Sequence, residues 1–308
     1  MTLEAFVLGT GGMMPLPGRG LTSVLLRREG SLFLFDCGEG TQVNLRRLNL
    51  KWKKISVIFI SHTHADHITG LPGILMLSSQ VERQEPLYIF GPPRVKEYVE
   101  ATCRILEIYI NYEIIVTEIT SPGIIYSEDD FEVRAFSLYH SRPCMGYALE
   151  EKMRPGIFFP EKALALEVPQ GPQWSQLQNG QSVENQKGKL IEPSEVMGPA
   201  RKGRKFSFVT DTAYKPAIAD EVQGSDLLIC EAMFTQDMEE DAKDKKHLTS
   251  LQSAEIAKAA EVKSMGMIHY SPRYTRRDLY QIAEEAKSVF PDAFLTKDCQ
   301  HIPIPYEE

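Results

Sequence analysis

The sequence predicts an α/β layered fold, and three observations carry that expectation. Short apolar runs of strand length recur along the 308 residues. Helix-length stretches separate them, and both halves of the chain keep the same alternation. Residues 5–8 form the first apolar run and end in Gly9-Thr10-Gly11-Gly12. Residues 23–26 and 32–35 read as a strand pair joined through Arg27-Arg28-Glu29-Gly30. A helix fits 39–48, and the β-branched run 55–60 reads as a buried strand. A helix over 71–78, a strand at 87–90 and a helix over 93–106 follow. Residues 131–138 alternate in the manner of a half-buried strand, and 146–149 continue it. The later half predicts strands at 206–209, 227–230 and 265–268, with helices around 252–262 and 277–288.

Composition narrows the class. The chain is 43% hydrophobic and 25% charged, which excludes a disordered or fibrous protein. No run approaches the roughly 18 apolar residues of a membrane span, and the first dozen residues lack the pattern of a signal peptide. Five cysteines are scattered without CxxC spacing, so the expectation is a reducing, cytoplasmic setting and no thiolate metal site. The net charge is −8. Residues 152–205 depart from it, carrying 9 Lys+Arg against 5 Asp+Glu. Rich in Pro, Gly and Gln, that stretch reads as an insertion protruding from the core, about 152–200, and not as a further layer of it.

The chemistry concentrates at His62-Thr63-His64-Ala65-Asp66-His67, directly after the buried-strand run. Strand ends are where α/β sheets present loops to ligands. In an extended loop, i and i+2 point the same way, so His62 and His64 can hold one ion; Asp66 and His67, entering a helix, can face a second. Imidazole with carboxylate suits Zn²⁺, with Mn²⁺ and Fe²⁺ as alternatives. His140, Asp211 and His269 each follow an apolar strand and are candidates to complete such a site; one carboxylate between two ions can bridge them.

These residues resemble the metallo-β-lactamase superfamily of hydrolases, and within it the ribonuclease Z branch. Residues 35–42, reading FDCGEGTQ, resemble the branch's acidic motif. Gly146-Tyr147, Asp211-Thr212 and the stretch His269-Tyr270-Ser271-Pro272-Arg273-Tyr274 resemble its later motifs, and Gly171-Pro172 resembles the Gly-Pro motif of its tRNA-gripping arm. The resemblance implies an αββα four-layer sandwich over residues 1–308 with the arm inserted. It implies one zinc held by His62, His64 and His140, a second by Asp66, His67 and His269, and Asp211 bridging, with Mn²⁺ as the alternative metal. Two such cations lower the pKa of the water between them and neutralise the phosphodiester it attacks. Asp66 is then placed to orient or deprotonate that water, and Asp36 to support a ligand histidine. Substrate contacts fall to Gly171, Pro172, Ser271 and Arg273.

His247, in Lys245-Lys246-His247-Leu248-Thr249-Ser250, occupies the position of the branch's leaving-group acid. Neighbouring lysines would lower its pKa and a nearby carboxylate would raise it. Thr249 or Ser250 is the expected cap of the following helix. His301 fits no motif and reads as structural. The implied activity is removal of the 3′ trailer of precursor tRNA, leaving a tRNA 3′-OH and a 5′-phosphate, by a homodimer. The alternative is a general phosphodiesterase or small-molecule hydrolase on the same scaffold, against which the basic arm argues. A non-catalytic RNA-binding module would have lost ligands, and all seven are here. Pro15 and Arg19 match the branch's first loop, but Pro17 and Gly20 replace its Lys and Asn, so the handling of CCA-ending tRNA stays open.

Overall fold

The computed structural model describes residues 2–306. The first half builds one sheet from β1 (Leu3–Gly9), β2 (Ser23–Arg28), β3 (Ser31–Phe35), β4 (Ile55–Phe59), β5 (Leu87–Gly91) and β6 (Ile114–Glu118). Its helices are α1 (Thr41–Arg47), α2 (Ala65–Ile68), α3 (Leu71–Gln80) and α4 (Val95–Ile105). A second sheet opens with β7 (Gly123–Ser127), β8 (Phe131–Tyr139) and β9 (Pro143–Glu151).

A separate compact unit comprises Glu128–Phe131 and Glu150–Gly203. It holds α5 (Pro160–Ala165), α6 (Pro172–Gln178), the ribbon β10 (Val183–Glu184) with β11 (Leu190–Ile191), and α7 (Pro193–Val196). Each of its helices carries proline in the first turn, where a missing N–H costs nothing. Ala163, Val168, Leu177, Val183, Ile191 and Val196 give it a small core of its own, and Trp174 Nε1–H donates to the Val168 carbonyl at 3.0 Å.

The main unit then resumes with β12 (Lys205–Val209), α8 (Ile218–Val222), β13 (Leu227–Glu231), α9 (Glu239–Lys245), α10 (Ser250–Ala259), β14 (Met265–Ile268), α11 (Asp278–Val289), β15 (Ala293–Leu295) and β16 (Gln300–Pro303). The strand orders are β16-β1-β2-β3-β4-β5-β6 and β15-β14-β13-β12-β9-β8-β7. In each sheet a parallel run joins antiparallel strands: β3 to β6 in one, β12 to β15 in the other. The two inner faces meet through a layer of aromatic rings. Phe35 of β3 lies 5.1 Å from Phe59 of β4, 5.1 Å from Phe206 and 5.7 Å from Phe208 of β12. On the outer faces, Leu34, Ile58 and Ile89 pack with Ile74 and Leu75 of α3 and Val95 and Val99 of α4. Val209, Leu228 and Cys230 pack with Ile256 of α10 and Ile282 of α11. This is the four-layer αββα sandwich.

The predicted elements recur within a few residues. Thr249 is the cap of α10: its Oγ1 accepts from the Gln252 N–H, and the Gln252 side chain returns the bond, a capping box. Besides the short ribbon β10–β11, the strands that sequence patterning missed are β6, β7, β15 and β16, the outermost strand at each edge of the two seven-stranded sheets. Edge strands are short and half-exposed, so they lack the continuous apolar run that marks an interior strand. His301 stacks on Phe6 at 4.7 Å and contacts Glu4 at 3.0 Å, the structural place its lack of motif implied.

Candidate metal centre and active site

All the predicted ligands lie at strand ends of the main unit. The loop leaving β4 carries His62 and His64, and α2 presents Asp66 and His67. His140 follows β8, Asp211 follows β12 and His269 follows β14. The segment 36–40 straps this loop in place: the Cys37 N–H donates to the His67 carbonyl, and the Gly70 N–H to the Cys37 carbonyl, both at 2.8 Å. Asp36 and His269 hold φ of 55° and 61°, the left-handed region that branched and bulky residues avoid. Gly12 approaches the His269 ring so closely that a Cβ there would stand 2.5 Å from it.

Hydrogen bonds fix the imidazoles. Fully buried Asp36 accepts from the Ser61 N–H and Ser61 Oγ, and from His67 Nδ1, each at 2.7 Å. With its hydroxyl proton given to Asp36, Ser61 Oγ accepts from His62 Nδ1 at 3.0 Å. His140 Nδ1 donates to the Lys246 carbonyl at 3.0 Å. These bonds assign the proton to Nδ1 in all three rings and leave each Nε2 a lone pair.

Those lone pairs converge on one carboxylate. Asp211 Oδ2 faces Nε2 of His62 at 3.5 Å and of His140 at 3.7 Å; Oδ1 faces Nε2 of His67 and His269, both at 3.2 Å. His64 Nδ1 joins the first group, 2.9 Å from His62 Nε2 and 3.2 Å from His140 Nε2. Asp66 Oδ2 joins the second, 3.3 Å from His269 Nε2. Lone pair facing carboxylate at these distances is repulsive unless a cation lies between them. The buried Nδ1 of His269 has no hydrogen-bond partner. With no cation between them, burial of His67 is outweighed by Asp211, Asp36 and Asp66, which raise its pKa well above the imidazole range, so that a second proton would sit on Nε2, the position a metal would take in its place. The donor set thus fits divalent metal in two groups sharing Asp211.

The cluster opens on a cleft of about 330 Å³ that Met13, Ser141, Lys245, Lys246 and His247 also line. The Met13 N–H donates to Asp66 Oδ2 at 2.7 Å. Burial opposes ionisation of Asp66, yet His67 and His269 keep it far below the carboxylate range, so it is a weak base.

His247 rests against the cluster, its ring stacked on His269 at 5.4 Å and its Nε2 3.9 Å from Asp211 Oδ2. Its Nδ1 contacts Glu231 at 3.1 Å. Burial works to lower its pKa, but the charges of Glu231 and Asp211 outweigh burial and push it up to about 9. The two lysines the sequence set beside it are occupied elsewhere: Lys245 pairs with Asp241 at 2.9 Å, and Lys246 Nζ reaches the His140 carbonyl at 3.4 Å. Glu231 is the residue sequence reasoning missed. It sits at the end of an apolar strand, the same position that singled out Asp211 and His269, and accepts the Thr212 N–H at 2.7 Å.

Of the predicted substrate residues, Ser271 is buried two residues beyond His269. Exposed Arg273 lies over Phe234 at 5.2 Å and reaches Met238 Sδ at 2.8 Å. Gly171 and Pro172 are exposed at the start of α6, in the second compact unit.

An αββα sandwich with histidines and aspartates gathered at its strand ends defines a metal-dependent hydrolase of the metallo-β-lactamase fold. Residues 179–270 match the family described as Beta-lactamase superfamily domain, and residues 3–103 match the one described as Anti-Pycsar protein Apyc1. The chain is 65% identical to a ribonuclease Z of Treponema denticola over all of both chains. It is 45% identical to one of Borreliella burgdorferi, over 95% of this chain and 94% of that one. The crystal structure of the short form of human tRNase Z superposes with a TM-score of 0.71 at 26% identity, covering 98% and 99% of the two chains. The chain belongs to the ribonuclease Z family.

Proposed function

We propose that this chain is a metal-dependent endoribonuclease that removes 3′ trailers from tRNA precursors, leaving a 3′-OH on the tRNA and a 5′-phosphate on the trailer. The observation that carries the reading is Asp211, whose two oxygens each face a separate group of ligands; full-length likeness to ribonucleases Z supports the substrate. His62, His64 and His140 would hold one ion and Asp66, His67 and His269 the other, with Asp211 available to both. Divalent cations bound there, zinc by the imidazole-rich donor set, supply acidified water and neutralise the phosphodiester charge.

The chain's own residues do the rest. Asp66, steered by the Met13 N–H and poor as a base, orients the attacking water. Asp36 keeps His67 in the Nδ1–H tautomer. Departure of the 3′ oxygen creates an alkoxide, and His247, held protonated by Glu231, gives it a proton. Ser271 and Arg273 border the path of the cleaved strand.

The second unit, read as an arm over about 152–200, exposes Gly171 and Pro172; Lys+Arg and Asp+Glu balance over that span, and the positive excess a −8 protein needs to hold RNA lies at its base, in Arg201, Lys202, Arg204 and Lys205. Its contacts would be to phosphates and to the shape of the A-form helix. A homodimer is supported by Met76, Ile105, Leu106 and Tyr109, apolar side chains 46–78% exposed along α3 and the end of α4. Five free cysteines fit a cytoplasmic setting, and no helix is long and apolar enough to cross a membrane among the described residues.

The test compares wild type with a variant in which a short linker replaces residues 157–197. Gly156 and Gly198 approach closely enough for this, since a Cβ on Gly156 would meet the Gly198 carbonyl oxygen at 2.0 Å. Both proteins are assayed on precursor tRNA and on bis(p-nitrophenyl) phosphate. The expected result is loss of trailer removal in the variant with ester hydrolysis retained. Ester hydrolysis by both proteins with intact precursor throughout would make this a general phosphodiesterase.

A further inference from the structure

Asp298 stands in the short crossover between β15 of the second sheet and β16 of the first, and it does not touch the metal cluster. Its carboxylate nevertheless receives four donors. Oδ1 accepts from the Thr10 N–H at 3.1 Å and from Thr10 Oγ1 at 2.8 Å. Oδ2 accepts from the Gly20 N–H at 2.6 Å and from Asn44 Nδ2 at 3.3 Å. Thr10 and Gly20 are the two ends of one loop, and the Gly11 N–H closes that loop on the Gly20 carbonyl at 2.8 Å.

Between its ends the loop reaches the centre twice. The Met13 N–H bonds Asp66 Oδ2, and Gly12 lies against the His269 ring. Its tip has little packing to hold it there: Met13 and Met14 are 63% and 55% exposed. Besides Asp298, the loop is tied by the Gly12 N–H to the Tyr270 carbonyl at 3.1 Å and by Arg19, which donates to the Ser271 and Tyr274 carbonyls. These ties fasten it to the segment after β14, whereas Asp298 fixes both of its ends to one point.

We infer that Asp298 is a positioning residue for the proposed reaction: by fastening Thr10 and Gly20 together it sets the Met13 amide against Asp66 and Gly12 against His269. The inference rests on the functional reading above. An ionised carboxylate serves all four as acceptor, and three of them, the Thr10 and Gly20 N–H groups and Asn44 Nδ2, can only donate. Burial pushes this carboxyl up from its usual range, and the bonds from Gly20 and Thr10 work against that shift. An asparagine keeps one oxygen and turns its NH₂ toward either the Thr10 pair or the Gly20–Asn44 pair, releasing one end of the loop.

The test uses full-length protein as wild type, Asp298→Asn, Thr10→Val and Asp226→Asn. Asp226 is the control: it accepts the Lys205 N–H at 2.7 Å and pairs with Lys263, near the start of β12 and away from the cluster. Hydrogen–deuterium exchange is measured on metal-free protein, and kcat and KM on bis(p-nitrophenyl) phosphate with saturating zinc.

Asp298→Asn is expected to raise exchange in residues 10–20 alone. Its kcat is expected to fall about 10- to 100-fold, the scale on which an ångström of misplacement acts, with KM changed less than about threefold. Thr10→Val, which keeps the backbone bond, moves both readouts the same way by less, and it carries the test if Asp298→Asn does not fold. Asp226→Asn keeps kcat even where its melting temperature falls as far. Unchanged exchange in the loop, or an equal kcat loss in Asp226→Asn at matched melting temperature, overturns the inference. The exchange comparison needs no turnover, so failure of wild type to cut precursor tRNA would sink the substrate reading and leave this one standing.

Discussion

Replacing Asp36 by asparagine tests how far the centre depends on a residue that donates nothing to a metal. Asp36 Oδ1 accepts the Ser61 N–H, while Oδ2 accepts both Ser61 Oγ–H and His67 Nδ1–H. An amide cannot serve all three. If its nitrogen takes the Oδ2 position, two donors face an NH₂, and His67 escapes only by moving its proton to Nε2, the atom aimed at Asp211. If it takes the Oδ1 position, the buried Ser61 N–H is left unpaired at a folding cost of about 1–3 kcal/mol. The first arrangement removes a ligand lone pair, and supporting partners of this kind are worth about 10- to 100-fold in metal affinity, or roughly 1.4–2.7 kcal/mol. The assay is zinc titration of metal-free protein against a chromophoric chelator, with circular dichroism to establish that the variant is folded. One of the two sites should weaken by that factor while the other keeps its affinity. Two sites within threefold of wild type in a folded variant would refute the assignment of Asp36 to His67.

Three further outcomes follow from the same geometry. His247→Ala should reduce trailer removal by about 10²- to 10⁴-fold but spare most hydrolysis of bis(p-nitrophenyl) phosphate, because nitrophenolate leaves without a proton. Glu231→Gln should follow it in direction, and equal losses on both substrates in single-turnover assays would contradict the acid role. Stripping the metal with a chelator should abolish both activities and lower the melting temperature. The stabilisation restored by zinc at 100 times Kd is about 2.7 kcal/mol, read by calorimetry, and a melting curve indifferent to zinc would count against the cluster as a metal centre. Phe35→Ala, at the crossing of Phe59, Phe206 and Phe208, should cost about 3–5 kcal/mol in denaturant unfolding; a loss below 1 kcal/mol would mean the two sheets do not pack through this ring.

The legible parts of the sequence were those whose chemistry repeats locally. HTHADH announces itself because four metal-competent side chains occupy six residues, and interior strands such as 55–60 announce themselves because both faces are buried. The strand-end rule then located His140, Asp211 and His269 from far along the chain. The same rule would have located Glu231, but a glutamate closing an apolar strand reads as the point where the chain meets water. Asp298 carried no signal, since its four partners come from residues 10, 20 and 44 and no local spacing encodes them. His247 was legible as a residue and not as an environment: the lysines adjacent in sequence share its cleft but bond to Asp241 and the His140 carbonyl, and a carboxylate 16 positions earlier sets its charge. The stretch 152–205 read as a protruding insertion, but its Pro-, Gly- and Gln-rich composition did not reveal that six small and aliphatic residues give it a core of its own.

The pairing of β16 with β1 has a consequence for how the protein is made. The partner that covers the outer edge of the first strand lies at residues 300–303, and the ligand set runs from His62 to His269. A ribosome therefore releases the first sheet with one flank bare and three ligands short, however well the early strands have formed. A polypeptide caught before residue 269 lacks a member of the second candidate ligand group. On the proposed reading such chains would lack a complete metal centre, and cutting power would arrive only once His269 is made and folded into place. The cost falls on folding speed, because the last-made strand must find the first.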